Sequence, residues 1–287
     1  RDVINPATED VVGQLPIATT EDLENALAAA ARGFIVWSNT SAWQREKVMR
    51  RAAALIGERK EQLARLLTCE NGKPLGDSMA ELERVVEVIE WCAEEGKRTY
   101  GRVLPPRAHG MLSTTLKRPI GPVAAFAPWN FPAFMVARKI AAALAAGCSI
   151  IAKPAEETPS VCLGIAQAFA DAGLPAGVLN VVFGLPSHIS EHLIKSAVIR
   201  KVSFTGSVPV GKLLTKLAAE QMKPVTMELG GHSPLVVFDD VNVEKVAAMC
   251  AAFKFRNAGQ VCLSPNRIFV QEGIFDQFVE HFVSATG

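Results

Sequence analysis

The chain of 287 residues is 49% hydrophobic and 21% charged, with a formal net charge of +1. This length and apolar content suffice to bury a large core, and they predict about two domains. A nearly neutral chain without a basic run excludes a strong polyanion-binding surface. We therefore expect no nucleic-acid partner and favour chemistry on a small molecule.

The six cysteines and five histidines are scattered along the chain, and no CxxC pair occurs. Scattered cysteines without a disulfide-dense pattern are typical of a reduced, cytoplasmic protein. His188 and His192 have the spacing of one helix face, but no third ligand accompanies them, so we predict surface histidines and no metal site. The most apolar long stretch, 131–151, carries Arg138 and Lys139 near its middle, which argues against a membrane span.

The first hundred residues are predicted to be mainly helical. Segments rich in alanine and leucine, with apolar residues at helical spacing, predict helices over 21–34, 43–67 and 78–98. Thr20 is the expected N-cap of the first helix, and Gly72 is expected to end the second. The third helix should direct these side chains inward: Leu82, Val85, Val86, Ile89 and Trp91. Residues 101–119 contain glycine, proline and a short β-branched run, which predict a hairpin instead.

From Gly121 onward, short apolar strands alternate with helices. The predicted strands cover 123–126, 149–152, 178–182, 201–204 and 225–229, and the helices between them cover 132–146, 160–171, 187–196 and 210–219. Continuous apolar strands separated by helices indicate parallel βαβ units, hence an α/β fold that binds ligands beyond the carboxyl ends of its strands. A second unit follows Gly231, with strands over 235–238 and 267–271 and helices over 243–255 and 274–284.

Cys262 lies in a glycine-containing loop between a predicted helix and a predicted strand. A thiol on a loop that rigid elements support can act as a nucleophile, because the thiolate is intrinsically reactive. The alternative for any single cysteine is a buried structural role. That structural role is assigned to the others: Cys69, Cys92, Cys148, Cys162 and Cys250.

Two further polar residues stand where a strand gives way to a turn. Glu228 precedes two glycines that let the backbone approach a pocket, so it can serve as a general base; a surface carboxylate is the alternative. Asn130 lies between two prolines at the start of a predicted helix. Its side chain either caps that helix or donates to a developing oxyanion.

Two other strand ends suit a nucleotide. Gly206 and Ser207 open a helix whose backbone N–H groups could hold a phosphate, although the segment is not GxGxxG and a simple helix cap fits equally well. Lys153 and Glu156 follow another strand, where they can hold ribose hydroxyls or form a solvated turn.

Taken in order, these segments resemble the aldehyde dehydrogenase superfamily over essentially the whole chain. The matching segments are 70–74, 128–132, 153–159, 204–211, 228–231 and 259–262. Each segment is weak alone, but the ordered set is specific. The nearest resemblance is to succinate-semialdehyde dehydrogenases and, through residues 260–265, to 2-oxoglutarate-semialdehyde dehydrogenases.

The resemblance implies an oxidoreductase that works through a thiol. Cys262 would attack the aldehyde carbon, the Asn130 amide and the Cys262 backbone N–H would hold the oxyanion, and Glu228 would activate water to release the acid. Lys139 is assigned to the same catalytic group, as a helix lysine near Asn130. The expected cofactor-binding residues are Trp129, Lys153, Glu156, Gly206, Ser207, Gly211, Leu229 and Gly230.

The resemblance also narrows the cofactor and the substrate. A carboxylate at Glu156 accepts from a ribose 2′-OH but repels a 2′-phosphate, so we predict NAD over NADP. Arg138 and Arg256 resemble arginines that bind a substrate carboxylate, with an ordinary helix-surface role as the alternative. We therefore expect succinate semialdehyde or 2-oxoglutarate semialdehyde as the substrate.

The implied organisation is a Rossmann-like NAD(P)-binding domain over 1–100 and 120–228, an oligomerisation hairpin over 101–119, and the first part of an α/β catalytic domain over 229–287. Chains of the family are substantially longer. We therefore expect this sequence to be truncated, and whether the truncated chain is active by itself stays open. At full length we expect a homodimer or homotetramer.

Two other functional classes also fit the sequence: a thiol hydrolase or acyltransferase that uses no nucleotide, and a catalytically silent homologue.

Overall fold

The computed structural model describes all residues, Arg1–Gly287. They form two compact units, Arg1–Met227 and Glu228–Gly287. The first unit begins with an antiparallel pair of strands, β1 (Asp2–Ile4) and β2 (Val11–Gln14). The sequence did not predict β2, because all its side chains are exposed and no alternation of apolar and polar residues marks it.

Four helices follow these strands. They are α1 (Thr20–Ser38), α2 (Ala42–Glu58), α3 (Lys60–Asn71) and α4 (Leu75–Gly96). The N-cap of α1 is Thr19, so the prediction of Thr20 was wrong by one residue. The Thr19 hydroxyl accepts from the Asp22 N–H, and the Asp22 carboxylate accepts from the Thr19 N–H. This reciprocal cap requires an acidic or amide side chain three residues after the cap, which favours Thr19.

The single helix predicted over 43–67 is in fact two helices. Arg59 leaves the helical conformation, with φ −97° and ψ 7°, between α2 and α3. Leu55 and Leu63 are buried on either side of it, so the apolar spacing continues through the break and conceals it. The predicted end at Gly72 is confirmed, since Gly72 adopts the left-handed conformation with φ 80°.

Helix α4 buries the stripe that the sequence predicted, with one exception. Leu82, Val85 and Ile89 are fully buried, and Val86 packs partly against the core. Trp91, however, is 66% exposed. It follows Ile89 by two residues, which places it across the helix from the buried stripe.

The predicted hairpin is confirmed as β3 (Arg102–Leu104) paired antiparallel with β4 (Ser113–Thr115).

The chain after the hairpin forms a five-stranded sheet in the order β7-β6-β5-β8-β9. Its strands are β5 (Val123–Phe126), β6 (Ile150–Lys153), β7 (Leu179–Val181), β8 (Lys201–Gly206) and β9 (Val225–Leu229). The helices between them are α5 (Pro132–Ala145), α6 (Pro159–Asp171), α7 (Pro186–Lys195) and α8 (Val208–Ala219). The pairs β5–β6, β5–β8 and β6–β7 are parallel, which confirms the α/β fold class.

The strand order creates a topological switch point. The chain builds β5, β6 and β7 in one direction and then returns to add β8 and β9 on the other side of β5. Adjacent connections therefore leave in opposite directions at β5 and β8, which opens a crevice beyond the carboxyl ends of these strands. No helix of the chain has the length and apolar character needed to cross a membrane.

The second unit begins inside β9. It contains two parallel strands, β10 (Leu235–Val237) and β11 (Ile268–Val270), and two helices, α9 (Val243–Phe255) and α10 (Phe275–Ser284). Its small core consists of Val237, Val243, Ala247, Cys250 and Phe278.

Candidate active site

A cavity of about 550 Å³ lies at the switch point of the first unit. It is lined by the carboxyl ends of β5, β6 and β8 and by the first turns of α7 and α8. Apolar side chains, including Val210 and Leu213, form much of its wall. The lining brings together several residues that the sequence assigned to a cofactor: Trp129, Lys153, Glu156 and Gly206.

Lys153 and Glu156 form a buried ion pair at this cavity. The Lys153 Nζ lies 2.5 Å from Glu156 Oε1. The Gly184 N–H donates to the same oxygen at 3.2 Å. Two donors therefore fix the orientation of the carboxylate, and the alternative of a solvated turn is wrong.

Gly206 and Ser207 form the connection from β8 to α8. A Cβ at Gly206 would lie 2.4 Å from Cζ of the Phe204 ring, so any larger residue at this position would require that ring to shift. Ser207 occupies the N-cap with an extended backbone and makes no side-chain cap hydrogen bond. Gly211 is buried one turn into the helix, and Leu229 and Gly230 lie at the end of β9 and just after it.

Asn130 lies in the loop between β5 and α5, where it is half-buried. The N-cap of α5 is Phe131, so the alternative of an Asn130 cap is wrong. The Asn130 backbone carbonyl accepts from Lys73 Nζ at 2.9 Å. The Trp129 carbonyl just before it accepts from Asn71 Nδ2 at 2.8 Å.

Lys73 also forms a buried ion pair with Glu81, with Nζ 2.6 Å from Oε2. The other Glu81 oxygen accepts from the Phe134 N–H at 3.0 Å, in the first turn of α5. The sequence interpretation named Lys73 only as part of a family segment and missed Glu81. The sequence did contain a signal for Glu81. It is a charged residue on the inward-facing stripe of α4, next to Leu82 and one turn before Val85.

The two cationic candidates on α5 point to different environments. Lys139 is buried and its Nζ donates to the Ser203 hydroxyl on β8 at 3.0 Å. Arg138 is exposed, and its guanidinium lies over the Phe134 ring at 5.6 Å from the centroid. The exposed arginine is therefore the one available to a solute, whereas the lysine contacts the sheet.

In the second unit, Cys262 is exposed on a loop with an unusual backbone. Asn257, Ala258 and Gly259 all have left-handed conformations, with φ of 50°, 55° and 76°. Such conformations cost about 1–3 kcal/mol each for residues other than glycine, so surrounding contacts must hold them. The Gln260 N–H donates to the Asn257 carbonyl at 3.1 Å, and the Ser233 hydroxyl donates to the Cys262 carbonyl at 3.4 Å.

The other cysteines differ in how accessible they are. Cys148, Cys162 and Cys250 are buried as expected, and burial raises the pKa of the Cys162 and Cys250 thiols. Burial also raises the pKa of the half-buried Cys92. Cys69 is exposed, so its assignment to a buried structural role was wrong. It lies on the outer face of α3, where the apolar stripe does not reach.

The expected catalytic residues are divided between the two units. Asn130 and Lys139 belong to the first, whereas Cys262 and the exposed Glu228 belong to the second. Arg256 follows α9 and lines a mostly apolar cavity of about 710 Å³ within the second unit. The convergence of these side chains on one aldehyde stays a prediction.

His188 and His192 lie on one face of α7. Their ring centroids are 6.2 Å apart, and His192 Nε2 lies 2.7 Å from Glu24 Oε1. The chain contains no group of three or more histidine, cysteine, aspartate or glutamate side chains arranged to hold a metal ion.

Comparison with known proteins supports the resemblance. Residues 1–287 match the model of the aldehyde dehydrogenase family. The chain is 46% identical to 3-sulfolactaldehyde dehydrogenase of Pseudomonas putida, over 99% of this chain and 58% of that protein. It is 42% identical to the NADP(+) succinate-semialdehyde dehydrogenase of Escherichia coli K12, over 99% of this chain and 59% of that protein.

The fold matches as well. The crystal structure of succinate-semialdehyde dehydrogenase from Burkholderia pseudomallei superposes with a TM-score of 0.97 at 41% identity, over 99% of this chain and 59% of that one. The chain thus spans somewhat more than half the length of the relatives it matches. With a family model matching from end to end, the chain belongs to the aldehyde dehydrogenase family.

Proposed function

We propose that the protein oxidises an aldehyde with an anionic tail to the corresponding acid, using NAD(P) as cofactor and Cys262 as covalent nucleophile. The observation that carries this proposal is the strand-end cavity with its buried Lys153–Glu156 pair, in a chain of this family. A buried, fixed ion pair at a topological switch point suits recognition of a ribose.

The residues around the cavity fit a dinucleotide. Val210 and Leu213 offer an apolar surface to a base, and Lys153 and Glu156 offer a donor and an acceptor to ribose hydroxyls. The α8 N-terminus after Gly206 supplies N–H groups and a favourable dipole for a phosphate. When bound, NAD(P) supplies the hydride acceptor for the oxidation.

The chain's own residues would perform the covalent chemistry. The Cys262 thiolate attacks the carbonyl carbon, forming a C–S bond and an oxyanion that the Asn130 amide and the Cys262 N–H stabilise. Loss of hydride from that carbon leaves a thioester on Cys262. Glu228 then takes a proton from water, the resulting hydroxide attacks the thioester carbon, and the C–S bond breaks to release the acid and the thiolate.

The proposed substrate class rests on Arg138 and Arg256 and on the named relatives. A guanidinium binds a carboxylate through two parallel hydrogen bonds, and a sulfonate presents similar oxygen pairs. Succinate semialdehyde leads, and 2-oxoglutarate semialdehyde fits the same arginines. The second candidate class is a sulfonated aldehyde, because a 3-sulfolactaldehyde dehydrogenase is 46% identical to this chain.

The test is NAD(P)H formation by the protein that carries this sequence, measured with succinate semialdehyde, 2-oxoglutarate semialdehyde, 3-sulfolactaldehyde and the neutral butanal. We expect activity with an anionic aldehyde, and its loss in Cys262→Ser. Arg256→Ala should raise KM for the anionic aldehyde and leave that for butanal unchanged, whereas an equal effect on both would reject the anionic class.

Two outcomes would point to the other classes. Ester or thioester hydrolysis without any nucleotide dependence would indicate a thiol hydrolase. Failure of Cys262 to react with iodoacetamide ahead of Cys69, the other exposed thiol, would indicate a catalytically silent homologue.

A further inference from the structure

The backbone on both sides of Asn130 is held by side chains from the last residue of α3 and from the short segment that connects α3 to α4. Asn71 Nδ2 donates to the carbonyl of Trp129, which belongs to the peptide before Asn130. Lys73 Nζ donates to the carbonyl of Asn130 itself, in the peptide after it. Since each peptide is planar, fixing both carbonyls fixes φ and ψ at residue 130 and the direction of its Cα–Cβ bond.

The Lys73 contact is made at a buried charge. The side chains of Lys73 and Glu81 are 1% and 2% exposed. The Lys73 ammonium lies over the Phe131 ring, 4.3 Å from its centroid, and so contacts the residue after Asn130 as well. Three separate interactions therefore hold this ammonium beside the loop.

Stability alone is a weak reason for this arrangement. Removing two charges from water is costly, and apolar residues of similar volume often stabilise a core equally well or better. An apolar residue at position 73 could not donate to the Asn130 carbonyl. The specific consequence of a lysine here is a fixed backbone at Asn130.

We propose that Lys73 is a positioning residue for Asn130, directing its side-chain amide at the oxyanion of the bound aldehyde. This inference rests on the proposed function, because it requires the amide of Asn130 to act in the reaction. Glu81 supports it by holding the ammonium and by accepting from the Phe134 N–H at the start of α5.

The test compares Lys73→Met, Asn130→Ala and the double variant. A misplaced catalytic group can cost about 10²-fold in rate, so Lys73→Met should lower kcat by about 10²-fold with KM for NAD unchanged. In the Asn130→Ala background the same substitution should cause little further loss, because the amide that it positions is already absent. An equal loss in both backgrounds would mean a structural role only and would overturn the proposal.

A milder variant keeps the test valid if Lys73→Met does not fold. Asn71→Ala removes one hydrogen bond to the Trp129 carbonyl and, unlike Lys73→Met, does not leave the buried Glu81 carboxylate without a cation. It should lower kcat about two- to tenfold. The control is Lys60→Met, which removes an ion pair with Glu83 at the first residue of α3, the end of that helix away from Asn71, and should leave kcat unchanged.

The results separate the two hypotheses. If Asn130→Ala leaves kcat unchanged, the oxyanion role in the proposed function fails. If Asn130→Ala lowers kcat but Lys73→Met and Asn71→Ala do not, the proposed function stands and the positioning role is overturned. Thermal unfolding of each variant shows whether a loss of rate reflects a loss of folded protein.

Discussion

At the scale of single residues, we expect the charge around the strand-end cavity to decide between NAD and NADP. Glu156 and Glu157 both line it, and Lys153 is the cation among its lining residues. Lys153 is already paired with Glu156, and Glu157 is paired with Arg1 at 2.9 Å. A 2′-phosphate would therefore bring two negative charges beside carboxylates whose cations are engaged.

Glu156→Gln tests the predicted preference for NAD. The substitution keeps the shape of the side chain but removes the charge, so kcat/KM with NAD should fall about tenfold or more while the preference over NADP shrinks. Initial rates with both cofactors give this ratio directly. Glu191→Gln is the control, since this exposed carboxylate on α7 pairs with Lys195 and does not line the cavity. Comparable kcat/KM for the two cofactors in the unaltered protein would refute the preference.

At the scale of elements, two helices depend on caps from distant parts of the chain. Both α5 and α6 begin with a proline and have no side-chain cap of their own. Glu81 on α4 accepts from the first turn of α5, and Glu70 on α3 accepts from the Ser160 N–H of α6 at 3.0 Å. These carboxylates satisfy N–H groups that each helix leaves without an internal partner.

The pH dependence of stability should report the Glu70 cap. Burial raises the pKa of Glu70 above its usual value, although the hydrogen bonds from Ser160 oppose the shift. A raised folded-state pKa contributes stability at low pH that is lost as pH rises through it. We therefore expect the stability of the unaltered protein relative to Glu70→Gln to be greater at about pH 4 than at about pH 7.

Urea unfolding at the two pH values measures this difference, because effects shared by both proteins cancel. Glu61→Gln, an exposed glutamate at the other end of α3, controls for the substitution itself. The opposite slope would mean that the hydrogen bonds outweigh burial and that the charged carboxylate is the stabilising form.

The elements also show which features the sequence could predict. The buried strands β5 and β6 are short apolar runs between helices, so the α/β alternation was evident. The roles of Lys73 and Glu81 were not, because the backbone atoms they bind lie 57 and 53 residues away. Local spacing carries no information about such distant partners, and the same holds for the contact between Lys139 and Ser203.

At the scale of the whole molecule, the hairpin is the feature that most needs a partner. An isolated two-stranded hairpin is at best marginally stable in water, and its unpaired edges invite another chain. Here β3 and the two residues that flank β4 expose four large apolar side chains: Val103, Leu104, Leu112 and Leu116. This pattern supports the expectation that residues 101–119 join subunits in a homodimer or homotetramer.

Replacing Val103 and Leu112 together by lysine should therefore weaken assembly. Each lysine would have to be buried as a charge if the hairpin packs against a second copy, so the mass measured by light scattering after size-exclusion chromatography should fall toward that of one chain. Ile35→Lys, at an exposed apolar position on α1, is the matched control and should leave the mass unchanged. A single-chain mass for the unaltered protein, or an unchanged oligomer in the double variant, would show that the hairpin does not hold subunits together.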